Sequence, residues 1–116
     1  MSPTNPIPVM PHHKLIGYQL ALELVRLIAS VRISDARLRE QARKSAVSAA
    51  LNAAEGAGRY SQGDKSRVFA IAVSEACEAV AAVEIAAALG ACRPADAEAV
   101  LVLGARVKNV LSRLVR

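Results

Sequence analysis

The stretch QARKSAVSAALNAAEGAGR, residues 41–59, constrains the fold more than any other part of this chain. It is alanine-rich and helix-forming. Gln41, Ser45, Ser48, Asn52, Glu55 and Arg59 recur at steps of three and four, so they share one helical face. Small residues flank that line: Ala49, Ala50, Ala53, Ala54 and Gly56. They invite close backbone approach by a neighbouring element. The stretch predicts a tightly packed helix with a specific polar seam and contains no recognisable catalytic motif.

The rest of the composition fits the same class. At 116 residues the chain is long enough for one core. Hydrophobic residues make up 53%, but the only aromatics are Tyr18, Tyr60 and Phe69, so the core must be aliphatic. Glycine and proline are sparse, and proline concentrates at positions 3, 6, 8 and 11. These features predict an all-α domain spanning residues 13–116 behind an extended or flexible Pro-rich arm, residues 1–12. No uncharged apolar run is long enough to cross a bilayer, and the N-terminus lacks the regions of a signal peptide. A cytoplasmic setting with no membrane association is the expectation. Cys77 and Cys92 have neither metal-ligand nor disulfide-framework spacing, and Cys77 reads as a small core residue.

Four helices can be placed from periodicity and caps. The first covers about residues 14–31, with a narrow polar stripe of Gln19, Glu23, Arg26 and Ser30. Most of its remaining circumference is apolar, which predicts burial both inside the domain and at a subunit contact. The second starts at a Ser34 or Asp35 cap and reaches about Gly58. Ser61 and Asp64 resemble a capping box for a third helix, about residues 63–89, that Gly90 ends. Pro94 fits the first turn of the fourth, with Asp96 and Glu98 favourable there. Val100, Leu103, Val107, Val110 and Leu114 give it an apolar seam. Short connections make this an antiparallel, up-down-up-down four-helix bundle.

The residues so placed carry a resemblance. Gln41, Ser48, Asn52, Glu55-Gly56 and Arg59, followed by Ser61, Phe69, Ile71-Ala72, Glu78 and Leu89-Gly90, resemble the pattern of the four helix bundle protein family. That family includes proteins encoded by intervening sequences in bacterial large-subunit ribosomal RNA genes. The pattern is also similar to the accessory protein of diversity-generating retroelements. It covers about residues 13–116 and is sharpest from 41 to 89. Ser74 and Glu75 stand where the family tends to have a Gly-Ser pair, and Ala53 where a bulky aliphatic is usual. The resemblance implies a left-turning bundle, assembly as a homopentamer, and no enzymatic activity. Its retroelement branch implies a basic surface that engages nucleic acid or a nucleoprotein.

Two groups of residues are candidate sites. Ser48, Asn52, Glu55 and Arg59 share a face, with Glu78 as the expected partner from the third helix. They read either as a structural polar network fixing packing or as a ligand site, since buried polar groups need partners. Glu55 and Glu78 could also serve as paired carboxylates in an enzyme. The Glu-x-x-His motifs of di-iron bundles are missing, and His12 and His13 lie in the arm, so neither a metal nor a cofactor is expected.

The second group is basic: Arg37, Arg39, Arg43 and Lys44, beside Arg32. Arg39 and Arg43 share a face and could contact phosphates. A Glu40–Lys44 pair on a solvated face is the simpler reading. Charge is unevenly spread: residues 32–67 hold 8 basic against 4 acidic side chains, residues 68–98 hold 1 against 5, and residues 99–116 return to a net +4. This asymmetry suits either an acidic partner or complementary faces within or between subunits. The leading expectation is a non-enzymatic oligomeric scaffold, ahead of a nucleic-acid-binding assembly and a carboxylate-dependent enzyme.

Overall fold

The structure, a computed structural model, describes residues 6–116. Residues 1–5 of the expected arm lie outside the described residues. Of the rest of the arm, residues 6–10 have no regular secondary structure and residues 11–12 enter a turn that runs to residue 14. Four helices follow: α1 Ile16–Ser30, α2 Ala36–Gly58, α3 Gln62–Ala88 and α4 Pro94–Ser112. Each lies within two residues of its expected start.

Local chemistry sets the boundaries. The Asp35 carboxylate accepts the Leu38 N–H at 2.9 Å and caps α2. The Ser61 hydroxyl accepts the Asp64 N–H at 3.1 Å and caps α3. The reciprocal half of a capping box is missing, because the Asp64 carboxylate turns to Arg67 and Arg59 instead. Gly90, at φ 76°, takes the left-handed conformation after α3. There the N–H of Gly90 reaches the Ala87 carbonyl at 3.0 Å and that of Ala91 reaches Ala86 at 2.8 Å, a Schellman closure. Pro94 opens α4.

The short connections at residues 31–35, 59–61 and 89–93 reverse the chain, so successive helices pack antiparallel. α4 returns against α1 and closes the bundle. The most extensive contact is α2 against α3. Its centre is a line of wholly buried small residues: Ala42, Ala46, Ala49 and Ala53 on α2, and Ala72, Ala76 and Ala79 on α3. The seam ends at Gly56, where an added Cβ would stand 2.7 Å from the Phe69 ring. Gly104 makes room for Val80 between α3 and α4 in the same way.

The opposite side of the core holds the bulk. Leu24, Ile28, Val100, Val107 and Leu111 are fully buried between α1 and α4. Leu103, Val110 and Leu114 pack against this cluster and are half-buried. On α1 the polar stripe of Gln19, Glu23, Arg26 and Ser30 is exposed, while Leu15, Leu22, Val25 and Leu27 remain half-buried. The second apolar side of α1 is thus largely covered by its own bundle.

Candidate functional site

The polar line on α2 resolves into three local pieces. The Gln41 amide donates to the Ser45 hydroxyl at 2.9 Å, which satisfies the buried Ser45. One turn on, the Asn52 amide donates to the Ser48 carbonyl at 2.9 Å and to its hydroxyl at 3.2 Å. At the hairpin tip Arg59 bridges Glu55 at 2.8 Å and Asp64 at 3.3 Å, and Arg67 holds the other Asp64 oxygen at 2.9 Å. Every partner lies within five residues in sequence. The arrangement is a helix-side string of short bonds joined at the tip to the start of α3.

Glu78 does not join it. It is exposed and makes no hydrogen bond or ion pair among the described residues. The reason is distance along α3. Glu78 lies fourteen residues beyond Asp64, about 21 Å of helix rise from the tip. Arg59 is already satisfied by carboxylates from its own helix and from the next turn. The tip group is also more open than a buried network would be, with the Glu55 side chain 50% exposed and that of Arg59 38%.

The tip ions shift one another's titration. The hydrogen bond from Arg67 holds the Asp64 carboxyl below the usual carboxylate range. The Arg59 charge adds to this, while partial burial opposes it. The bond to Glu55 and the charge of Asp64 raise the Arg59 guanidinium. Lys65 completes the tip by donating to the carbonyls of Ala57 at 2.9 Å and Gly56 at 3.4 Å, the open end of α2.

The basic cluster divides in two. Arg39 is half-buried and donates to the Ile33 carbonyl at 2.9 Å. Arg43 reaches the Ala29 carbonyl at 3.4 Å. Arg39 thus ties to the α1–α2 connection, while Arg43, still exposed, reaches a carbonyl in the last turn of α1, where the helix dipole favours a cation. Arg37 and Lys44 stay exposed without an ion-pair partner among the described residues, and the expected Glu40–Lys44 pair does not form. Shallow depressions run between Arg39, Arg43, Lys44 and Val47, and between Arg37, Gln41 and Lys44.

Three further placements bear on chemistry. Cys77, expected in the core, is exposed on α3, whereas Cys92 is buried. Helical phase explains the exchange: Ala76, Ala79 and Val80 occupy the inward positions around Cys77. Burial, and secondarily the Asp96 charge, push the Cys92 thiol up. His12 is half-buried with its ring edge-on to Tyr18 at 4.6 Å, and the His13 Nδ1 accepts the Met10 N–H at 3.0 Å. Among the described residues no three His, Cys, Asp or Glu side chains gather where a metal could be held, and no helix is long and apolar enough to cross a membrane.

Several positioning residues escape sequence reasoning. The spacing of Asp64 and Arg67 was a usable signal, since residues three apart meet on a helix. Ser66 offered none. Its hydroxyl accepts the Arg116 N–H at 2.7 Å and donates to the Arg116 carbonyl at 2.9 Å, fifty residues away, tying the start of α3 to the last residue.

The fold is an all-α four-helix bundle with short local hydrogen bonds along α2 and an ion cluster at the α2–α3 hairpin. The chain belongs to the 23S rRNA-intervening sequence protein family, whose sequence profile matches residues 13–113. No curated protein matches the chain.

Proposed function

We propose that this protein is a non-enzymatic scaffold that works by self-association, with a homopentamer as the form implied by the family resemblance. The observation that carries the reading is its exposed aliphatic surface. Leu51, Ile85, Leu89 and Val102 are 65%, 51%, 67% and 59% exposed, and Val47, Ile71 and Leu101 add to them. Apolar surface on two neighbouring helices and α4 marks a contact surface when it is contiguous. The carboxylate-enzyme reading draws no support from the geometry, since Glu55 is engaged by Arg59 and Glu78 faces solvent alone. Light scattering of the full chain at micromolar concentration tests the proposal. About five chains per particle is the expected result; a monomer at every concentration overturns it.

A second reading has one observation in its favour: Arg37 and Lys44 are exposed cations without ion-pair partners among the described residues. On an assembly they would repeat and bind nucleic acid by summed phosphate contacts. A mobility shift at low salt that Arg37→Gln with Lys44→Gln removes would support this reading. No shift with the unaltered protein rejects it. Arg39 and Arg43 are unsuited to the test, because their loss would also disturb the α1–α2 connection.

A further inference from the structure

The outer surfaces of α2 and α3 differ in size and in charge in a matching way. On α2, Arg37, Lys44, Val47 and Leu51 fall at helical spacing and are all exposed, with Val47 44% and Leu51 65% accessible. This stripe is bulky and basic. On α3, Ala70, Cys77, Ala81 and Glu84 also fall at helical spacing and are all exposed. That stripe is small and acidic.

The two stripes share a repeat. Lys44 and Leu51 are seven residues apart, as are Cys77 and Glu84. Both separations correspond to about 10.5 Å of helix rise. Antiparallel alignment that sets Lys44 on Glu84 therefore sets Leu51 over Cys77 and Val47 over Ala81. Large side chains would then meet a shallow row of small ones, the arrangement that lets helices pack closely.

We infer that these stripes are the two halves of one contact, with α2 of one chain docked on α3 of a second copy. The inference rests on the self-association proposed above and names its surfaces. Charge complementarity selects the occupant. All three ion pairs among the described residues lie between Glu55 and Arg67, so neither Lys44 nor Glu84 has an ion-pair partner among them. Within α3, residues 68–88 carry the acidic Glu75, Glu78 and Glu84 and no basic side chain, which makes α3 of another copy the complement of α2. Two copies meeting through the same α2 face would bring basic stripe against basic stripe. A head-to-tail contact avoids this, and such a contact closes into a ring when its rotation allows.

The test uses nuclease-treated full chains in sedimentation velocity at micromolar concentration. Lys44→Glu and Glu84→Lys place like charges across the contact in each pure variant. Each should weaken association by about tenfold with the helical circular dichroism unchanged. An equimolar mixture of the two restores opposite charges between unlike chains, at up to four of the five contacts of a closed pentamer, and should recover assembly in part. Lys44→Glu mixed with Glu84→Gln should recover less. Neither variant carries the original Lys44 and Glu84 together, so recovery reports contact between chains. Cys77 alkylation should be slow in the unaltered assembly and fast in Lys44→Glu alone.

A wild-type monomer overturns both this contact and the self-association proposal. Wild-type assembly with variants that assemble equally well, or with a mixture that stays dissociated, overturns this contact alone. Loss of wild-type assembly on nuclease treatment also overturns it, in favour of nucleic-acid bridging.

Discussion

The two ends of α2 carry similar charges and use them in opposite ways. At the C-terminal end, Arg59 is held by Glu55 and Asp64, and Lys65 closes the last carbonyls. At the N-terminal end, Arg39 and Arg43 reach back to backbone carbonyls at Ile33 and Ala29, while Arg37 and Lys44 make no hydrogen bond or ion pair among the described residues. What differs is the supply of local partners. The tip folds two helix ends and two carboxylates together within ten residues. The other end offers bare carbonyls and two acidic residues: Asp35, taken up in capping α2, and Glu40, which forms no ion pair among the described residues. Charge density alone therefore does not mark an interaction surface; unmet charge beside exposed aliphatic side chains does so better.

The strongest way to break the comparison is to remove what holds the tip in place, which is packing. Phe69 is 4% exposed and fills the space that Gly56 leaves. Phe69→Ala should lower stability by about 3–5 kcal/mol, read from denaturant midpoints. A loss under about 1 kcal/mol would mean the tip is held by its ions after all. Gly56→Ala should act in the same direction, by about 1–3 kcal/mol, through overpacking against the same ring.

Much of this division is visible in the sequence, for reasons that depend on range. Helices, caps and the alanine seam follow from spacing and from residues three or four apart, so α2 and α3 are placed closely. Glu55 and Arg59, four residues apart on the shared face, pair for the same reason. The failures are all matters of phase or reach. Cys77 sits among apolar neighbours, but one position decides whether it faces inward. Glu78 matches the seam in type and lies too far along α3 to meet it. Arg39 and Arg43 share a face, yet composition does not reveal that the α1–α2 connection and the last turn of α1 supply acceptors there. Ser66 and Arg116 join across fifty residues with no pattern to announce them.

At the other end of α2, a bond replaces packing. The Arg39 guanidinium fixes the connection between α1 and α2 through the Ile33 carbonyl at 2.9 Å. Arg39→Ala should cost about 1 kcal/mol, the net worth of one such hydrogen bond, and Arg39→Lys should recover part of it. If Arg39→Ala leaves the denaturation midpoint unchanged, the tie is not structural and Arg39 returns to the set of free cations.

The ions of the tip should matter less than either, because they are open to water. Their sign with pH is fixed all the same. Asp64 titrates lower in the folded chain than in the unfolded one, so its ionised form favours folding. That contribution is complete above the ordinary carboxylate range and fades as pH falls through the lower, folded value. Asp64→Asn should remove this part of the acid dependence and leave stability near neutrality slightly reduced. An unchanged acid limb in Asp64→Asn would show that the Arg59 and Arg67 bonds do not persist in solution.

The smallest effect is expected at Arg37, and that smallness is the point of the measurement. Arg37 is exposed on the first turn of α2 and makes no hydrogen bond or ion pair among the described residues. The positive end of the helix dipole also lies nearby and disfavours a cation there. Arg37→Gln should therefore change chain stability by no more than about 0.5 kcal/mol, and in the stabilising direction if at all. Denaturation under conditions that keep the chain monomeric isolates this term. A clear loss of stability would place Arg37 with Arg39 as a structural tie and erase the contrast between the two ends of α2. A neutral result leaves its charge to be explained by a contact outside the chain.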